Sequence, residues 1–247
     1  MVDALELTPQ DTVIEIGAGL GAVTQRLVHK LIGLESKIYA VEIDNRLTTK
    51  LKMMFAENTN MKVVEANILD WLPTVETEKP FKVLGSLPFY ITSPIIHTII
   101  KMKKQPEICV LMTQKEVAHK ICAQQDKASY MSTFVQTFFE TNYINIVPRN
   151  KFNPVPKVDG AIIKLKSEQG LSHLQKPHQQ EQIYKYERFL HKGFSNPRKM
   201  LNKIFSKEEL TKTNTDGNLR AQNITPKKWV EMFELLVEGK PKRVTLP

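Results

Sequence analysis

Apolar and polar positions alternate in a regular way over the first 123 residues. Short apolar runs typical of buried strands occur at 12–16, 37–41, 62–65, 82–85 and 107–112. Amphipathic stretches lie between most of these runs and predict helices at 22–32, 45–55, 93–103 and 114–123. Strands that alternate with helices form parallel sheets through right-handed crossovers. The pattern therefore predicts a doubly wound, Rossmann-like α/β domain.

The pattern changes after Ser129. The segments 132–140, 142–147 and 161–166 predict strands that follow one another without crossover helices, which indicates an antiparallel edge on the sheet. A polar segment with Gly170 and Pro177 follows and predicts a linker.

Helical periodicity returns in the last third of the chain, at 181–193, 197–205 and 226–238. Pro197 and Pro226 stand near the first turns of two of these predicted helices, a position that proline favours. We therefore predict a sheet domain at 1–166, a linker at 167–180 and a small C-terminal helical domain at 181–247.

Composition narrows the class of protein. The chain has 247 residues, of which 41% are hydrophobic, and no apolar run approaches the roughly 20 residues of a membrane span. Cys109 and Cys122 lie in apolar segments without metal-ligand spacing, which favours free thiols and a reducing compartment. The start of the chain, from Met1 to Glu6, has no signal-peptide pattern. We expect a cytoplasmic monomer with no membrane partner and no metal.

The charge of the chain favours a polyanionic partner. The formal net charge is +9 and the isoelectric point is near 9.4. Residues 167–247 carry 15 Lys and Arg against 9 Asp and Glu, so this third of the chain holds most of the excess. Such a surface suits contacts with phosphates, and it also suits a merely solvated basic surface.

A glycine-rich turn follows the first predicted strand. Gly17, Gly19 and Gly21 let backbone approach a ligand closely and lead into a helix N-terminus. Glu42 ends the second predicted strand, where an acid takes ribose hydroxyls, so a dinucleotide-dependent dehydrogenase remains possible at this point. Glu15 argues against a pyrophosphate, because two negative groups buried together are costly. A cationic sulfonium or ammonium ligand fits better.

These features favour S-adenosylmethionine as the ligand. Its sulfonium and amino group suit Glu15, and its ribose suits Glu42. Its adenine suits the turn after the third strand, where Asn67 and Ile68 lie.

The segment Ser86-Leu87-Pro88-Phe89 follows the fourth predicted strand and is similar to the tetrapeptide with which amino-group methyltransferases hold a planar exocyclic amine. Ser86 and the Leu87 carbonyl supply acceptors, Pro88 fixes the turn, and Phe89 offers a face on which a base stacks. Phe152 lies in a proline-rich connector and is a second candidate platform for an extruded base. Each motif has a purely structural alternative. The segment Ser86–Phe89 could be an apolar strand that ends in a turn, and Phe152 could pack in the core.

Taken in order, these motifs resemble the ribosomal RNA adenine dimethyltransferases, the KsgA-like family, which is related to the Erm resistance methyltransferases. The resemblance covers nearly the whole chain and includes the segments 13–21, 40–44, 85–94, 112–117 and 152–159. The tail segments 194–201 and 219–224 are similar to the KsgA-like members rather than the Erm members.

The resemblance implies a class I methyltransferase fold and a role for each matching residue. Gly17, Gly19 and Gly21 would line the methionine part of S-adenosylmethionine. Glu42 would hold the ribose, and Asn67 with Ile68 would meet its adenine. Glu15, Ile43 and Ser86 would also border the donor. Ser86, Leu87, Pro88 and Phe89 would hold the target amine, while Phe152 would stack on the target adenine. The implied activity is dimethylation of adenine amines in small-subunit rRNA, with no metal.

The sequence departs from the family pattern at several of these positions. Family members usually have Asn where this chain has Ser86, Tyr at Phe89, Asn at Tyr90 and Asp at Asn67. The family segment with a Gly-Gln-Asn-Phe-Leu type motif, which precedes this point and closes over the donor, is absent from the sequence. We therefore expect weakened activity and donor affinity. Two alternatives stay open: a non-catalytic rRNA-binding or ribosome-assembly factor, and Erm-type methylation of large-subunit rRNA.

Overall fold

A computed structural model describes residues 1–77, 79–167 and 180–239. Its contacts divide the chain into two compact units. The sheet unit consists of Met1–His119 and Glu140–Ser167, and the helical unit consists of Lys120–Phe139 and the chain from Glu168 onward. Most of the linker predicted at 167–180 lies outside the described residues.

The sheet has seven strands in the order β3-β2-β1-β4-β5-β7-β6. The strands are β1 (Thr12–Ile16), β2 (Lys37–Glu42), β3 (Met61–Glu65), β4 (Phe81–Ser86), β5 (Ile108–Gln114), β6 (Phe139–Val147) and β7 (Gly160–Ser167). The first five strands in this order are parallel, and β7 pairs antiparallel with β5. The predicted doubly wound sheet with an antiparallel edge is confirmed.

The central strands are buried, which explains their continuous apolar sequences. In β1 and β4 the side chains of Val13, Ile14, Val83 and Leu84 are all inaccessible to solvent. Lys82 is the exception in β4, and it forms a buried 2.7 Å ion pair with Asp11 and donates to the carbonyl of Glu6 at 2.6 Å. A buried charge is tolerated only when it is paired in this way.

The strand order reverses between β1 and β4. Both strands are parallel and in direct register, with Ile16 opposite Gly85 at their carboxyl ends. In open α/β sheets, ligands bind in the crevice outside the carboxyl ends at such a reversal. The chain leaves β1 into the glycine turn and leaves β4 into the Ser86–Phe89 loop, so both candidate motifs lie at this crevice.

The chain forms nine helices within the described residues. They are α1 (Ala22–Leu31), α2 (Asn45–Met54), α3 (Ile68–Trp71), α4 (Thr92–Lys101), α5 (Lys115–Ile121), α6 (Tyr130–Gln136), α7 (Gln180–Gly193), α8 (Lys207–Thr213) and α9 (Pro226–Leu236). None of the helices in residues 1–77, 79–167 and 180–239 combines the length and the apolar character that crossing a membrane requires.

The strand predicted at 132–140 is wrong over most of its length, because residues 130–136 form α6. The helix begins at a capping box, in which Ser129 accepts from the Ser132 amide at 3.3 Å and donates its own amide to the Ser132 hydroxyl at 2.7 Å. Phe134 and Phe138, four residues apart, are both buried on one side. Their aromatic composition favours a strand, whereas their spacing is helical.

The helix predicted at 197–205 is also wrong. Only a short 3-10 turn forms there, at Leu201–Lys203, and the helix begins later as α8. The signal for α8 is a second capping box, in which Ser206 and Glu209 bond each other's backbone amides at 3.1 and 2.7 Å. This Ser-x-x-Glu spacing marks a helix N-terminus in sequence.

The helical unit has an aromatic core of its own. Trp229, Tyr186 and Phe233 are fully buried, and α6 and α9 pack on α7. Gly193 ends α7 against the indole of Trp229, since a Cβ at that position would lie 2.3 Å from the ring. Residues 120–139 therefore group with the C-terminal helices, whereas the predicted sheet domain at 1–166 includes them.

Candidate active site

The glycine turn after β1 has a backbone that only glycine adopts without strain. Gly17, Gly19 and Gly21 have φ angles of 69°, 58° and 84°. The amides of Gly17 and Ala18 both donate to the carbonyl of Val41, at 2.9 and 3.2 Å, which attaches the turn to the end of β2. The turn is thus fixed in place above the carboxyl edge of the sheet.

Glu42 organises the backbone between the ends of β1 and β2. Its carboxylate accepts from the amide of Gly19 at 2.9 Å, from Ile43 at 2.8 Å and from Asp44 at 3.1 Å. A carboxylate has about four lone-pair sites, so these three bonds leave room for about one further donor. The side chain is half-buried, which leaves it accessible to a ligand hydroxyl.

Glu15 lies beneath the turn rather than at its surface. The residue is only 3% exposed, and its carboxyl accepts a 2.7 Å hydrogen bond from the hydroxyl of Thr24. Burial raises the pKa of Glu15 to about 7, and the negative charge of Glu42 adds to the rise. A cation bound above the turn would favour the ionised form.

The residues after β2 and β3 lie along the same edge. Ile43 is 68% exposed, although its side chain is large and apolar. Asn67 is the N-cap of α3, and its side-chain oxygen accepts from the amide of Leu69 at 3.1 Å. Ile68 is buried. One lone pair of the Asn67 oxygen is therefore already used, while its exposed amide retains two donors.

The Ser86–Phe89 loop lies against the glycine turn. A Cβ at Gly17 would stand 3.6 Å from the carbonyl oxygen of Ser86. The amide of Leu87 donates to the carbonyl of Met112 at 2.9 Å, and the Leu87 side chain is buried. Pro88 is exposed and leads into a 3-10 turn that begins at Phe89. The two motifs predicted to hold the donor and the amine are thus in direct proximity.

Phe152 lies over the start of β7. A Cβ at Gly160 would be 3.0 Å from the Phe152 ring and 3.5 Å from the carbonyl of Thr113, at the carboxyl end of β5. The ring is half-buried, so Phe152 neither packs fully in the core nor extends fully into solvent. Asp159 holds the connector in place by accepting from the amide of Arg149 at 3.0 Å, while its carbonyl accepts from Lys115 at 3.0 Å.

Leu20 and Tyr90 are two residues of this edge that the sequence reasoning missed. Leu20 is 70% exposed and Tyr90 is 83% exposed. With Ile43, they follow the carboxyl ends of three neighbouring strands, β1, β2 and β4. Their signal is their position at the switch point, which is known only once the order of the strands is known. Within the described ranges, no group of three or more His, Cys, Asp or Glu is placed to hold a metal ion.

A mixed α/β sheet with a glycine turn, an acid at the end of β2 and a Ser-Leu-Pro-Phe loop at its switch point is the arrangement expected of an α/β methyltransferase. The model of the family "Ribosomal RNA adenine dimethylase" matches residues 1–238. The chain is 32% identical to the ribosomal RNA small subunit methyltransferase A of Sulfurihydrogenibium sp. (strain YO3AOP1), over 94% of this chain and 88% of that protein. The chain therefore belongs to the ribosomal RNA adenine dimethylase family.

Two solved structures share the fold along nearly the whole chain. A dimethyladenosine transferase from Plasmodium falciparum has a TM-score of 0.78 at 23% identity, covering 96% of this chain and 94% of that one. The 23S rRNA methyltransferase ErmE has a TM-score of 0.70 at 26% identity, covering 95% and 94%. The predicted family and fold class are both confirmed.

Proposed function

We propose that this chain transfers methyl groups, one at a time, to the exocyclic amine of unpaired adenines in small-subunit rRNA. The observation that carries the proposal is the close approach of the glycine turn to the Ser86 loop, where a Cβ on Gly17 would lie 3.6 Å from the Ser86 carbonyl oxygen. The turn that we assign to the donor and the loop that we assign to the amine therefore lie side by side at one crevice. The family match and the small-subunit enzyme named above support this substrate.

The donor we propose is S-adenosylmethionine, which supplies an electrophilic methyl group on a cationic sulfonium when bound. The half-buried carboxylate of Glu42 would accept a ribose hydroxyl with its remaining lone pair. Exposed Ile43 would cover one face of the donor's adenine, and Asn67 with Ile68 would border its edge. Glu15, beneath the turn, would favour the positive charge through the electric field rather than by contact, since it is only 3% exposed.

The chain's own residues would position the amine. An adenine amine is a weak nucleophile because its lone pair is delocalised into the ring, so catalysis depends on orientation and on acceptors for its N–H groups. The Ser86 side chain is exposed at the end of β4, and Leu87 is anchored through its amide to Met112. Ser86 and the Leu87 carbonyl would accept from the amine, while Pro88 and Phe89 shape the turn and Phe152 stacks on the base.

Cations around the Phe152 connector favour an RNA substrate. Arg149, Lys151 and Lys157 are all exposed within a few residues of Phe152. Arg149 also donates to the carbonyl of Lys157 at 3.3 Å, which brings these two cations together. Phosphates on either side of an extruded adenine would meet this cluster, and the excess charge of residues 167–247 would add to the attraction. We place this activity in the cytoplasm and in a monomer.

Transfer of tritium from labelled donor to undermethylated small ribosomal subunits tests the proposal. We expect label in adenine of small-subunit rRNA with the wild-type chain and none with Glu42→Ala. Label in large subunits instead would favour Erm-type activity. Tight rRNA binding with no label and no heat of donor binding would favour a non-catalytic assembly factor and contradict the proposal.

A further inference from the structure

Tyr90 is the most exposed of the large apolar side chains among the described residues. It is 83% exposed, whereas Tyr186, Phe134 and Phe233 are fully buried in the helical unit. Aromatic residues bury 150–250 Å² when they pack, so an open aromatic ring gives up a large gain in stability. The Tyr90 side chain is thus largely open to solvent.

The backbone beneath Tyr90 is nevertheless firmly held. The amide of Ile91 donates to the carbonyl of Pro88 at 3.1 Å, which closes the 3-10 turn Phe89–Ile91. On the far side of the turn, the buried hydroxyls of Thr92 and Thr113 are 2.9 Å apart and hydrogen-bonded. A ring on such a support loses little conformational entropy when a flat group stacks on it.

The position of Tyr90 in the site identifies that flat group. Tyr90 follows Ser86 by four residues, so its Cα lies within about 15 Å of the Ser86 Cα even if the chain were extended. Thr113, which anchors the turn after Tyr90, also lies beside Phe152 through Gly160. Tyr90 is therefore exposed in the turn that continues the loop that we assign to the target amine, and the anchor of that turn lies beside Phe152.

We propose that Tyr90 is a stacking platform for the nucleobase adjacent to the target adenine, and so a positioning residue that selects a single-stranded segment. The inference rests on the proposed function. Once the target base is extruded, its neighbour has lost a stacking partner, and an aromatic ring replaces that partner. A nucleobase is favoured over an apolar protein partner because Arg149, Lys151 and Lys157 near Phe152 provide cations for the adjoining phosphates.

The probe is a short RNA hairpin whose loop contains two adjacent adenines, with 2-aminopurine next to the target. Stacking on Tyr90 quenches its fluorescence, so we expect quenching with wild type and with Tyr90→Phe but not with Tyr90→Ala. In methylation assays Tyr90→Ala should raise KM for the RNA about tenfold or more and leave kcat within about twofold. Ile32→Ala is the matched control, because Ile32 is 66% exposed and ends α1 away from the glycine turn.

Three outcomes separate the two proposals. Unchanged quenching and KM in Tyr90→Ala overturn the stacking role, as does a Tyr90→Phe variant that behaves like Tyr90→Ala. If quenching depends on Tyr90 but the wild-type chain methylates no adenine, the stacking platform is supported and the proposed function is contradicted. Thermal unfolding of each variant checks the fold, and an exposed side chain should leave the melting temperature unchanged.

Discussion

The hydroxyl of Thr24 donates a 2.7 Å hydrogen bond to the carboxyl of Glu15, and both side chains are buried. Thr24 lies on α1 and Glu15 on β1, so the bond joins the two elements that flank the glycine turn. Desolvation outweighs the hydroxyl and backbone hydrogen bonds that Thr24 supplies, which is why burial raises the pKa of Glu15 to about 7 from 4.5.

Replacing Glu15 should change how stability depends on pH. Between pH 4.5 and about 7 the folded chain binds more protons at Glu15 than the unfolded chain, so this group's contribution to stability falls as pH rises through that window. Glu15→Gln removes the dependence. Relative to wild type, its free energy of unfolding should rise by about 3 kcal/mol between pH 4.5 and pH 8. Denaturant titrations at the two pH values measure the difference.

The control for this prediction is Glu57→Gln, which removes an exposed carboxylate instead of the buried one. A parallel pH dependence in wild type and Glu15→Gln would contradict the raised pKa. We also expect Glu15→Gln to bind the cationic donor more weakly than wild type at pH 8, where the wild-type carboxylate is ionised.

Glu42→Ala should weaken donor binding and cost some stability. The substitution removes the acceptor for the amides of Gly19, Ile43 and Asp44 as well as the proposed ribose contact. Because hydrogen bonds to charged groups contribute about 1.5–3 kcal/mol each, loss of the ribose bond alone predicts a rise in Kd of about tenfold or more. Calorimetric titration with S-adenosylmethionine measures this. Glu35→Ala is the control, because Glu35 lies just before the start of β2, and this variant should bind the donor as tightly as wild type does. A wild-type affinity for the donor in Glu42→Ala would refute the ribose role.

Gly17→Ala and Gly33→Ala form a matched pair that separates strain from function. Their φ angles are 69° and 72°, so alanine should cost each protein about 1–2 kcal/mol of stability. At Gly33 nothing lies within 4 Å of the added carbon, whereas at Gly17 it faces the Ser86 carbonyl. We therefore expect similar losses in denaturant titrations but a tenfold or greater loss of methylation only in Gly17→Ala. Equal activity in the two variants would show that the Gly17–Ser86 space is not used.

The parallel sheet and the motifs at its edge could be predicted because their signals are local. Strands buried on both faces are continuous apolar runs, and glycines with positive φ have few substitutes. The prediction of α6 failed because aromatic and β-branched residues outweighed the helical spacing of Phe134 and Phe138. Packing against α7 and α9 decides between the two, and that packing depends on distant sequence.

The exposure of Tyr90 could not be predicted for the same reason. Phe89-Tyr90-Ile91 is an apolar run, and sequence alone favours its burial. The hydrogen bonds from Leu87 to Met112 and from Ile91 to Pro88 direct the turn out of the core, and one of them depends on pairing with β5. The three hydrogen bonds that Glu42 accepts from backbone amides could not be predicted either, because they depend on how the loops fold.

Gly160→Ala should impair methylation through Phe152 without affecting the donor. The added Cβ would lie 3.0 Å from the ring, closer than ordinary contact, so the ring must move. If Phe152 stacks on the target adenine, its displacement should lower kcat/KM for the RNA about tenfold or more, as Phe152→Leu should. Kd for S-adenosylmethionine should stay within about twofold in both variants, because Phe152 lies beside Thr113 at the end of β5, away from the glycine turn after β1.

Ala161 is also buried in β7 but points away from Phe152, so Ala161→Gly is the control for a general loss of strand stability. Wild-type kcat/KM in Gly160→Ala and Phe152→Leu would remove Phe152 from the site.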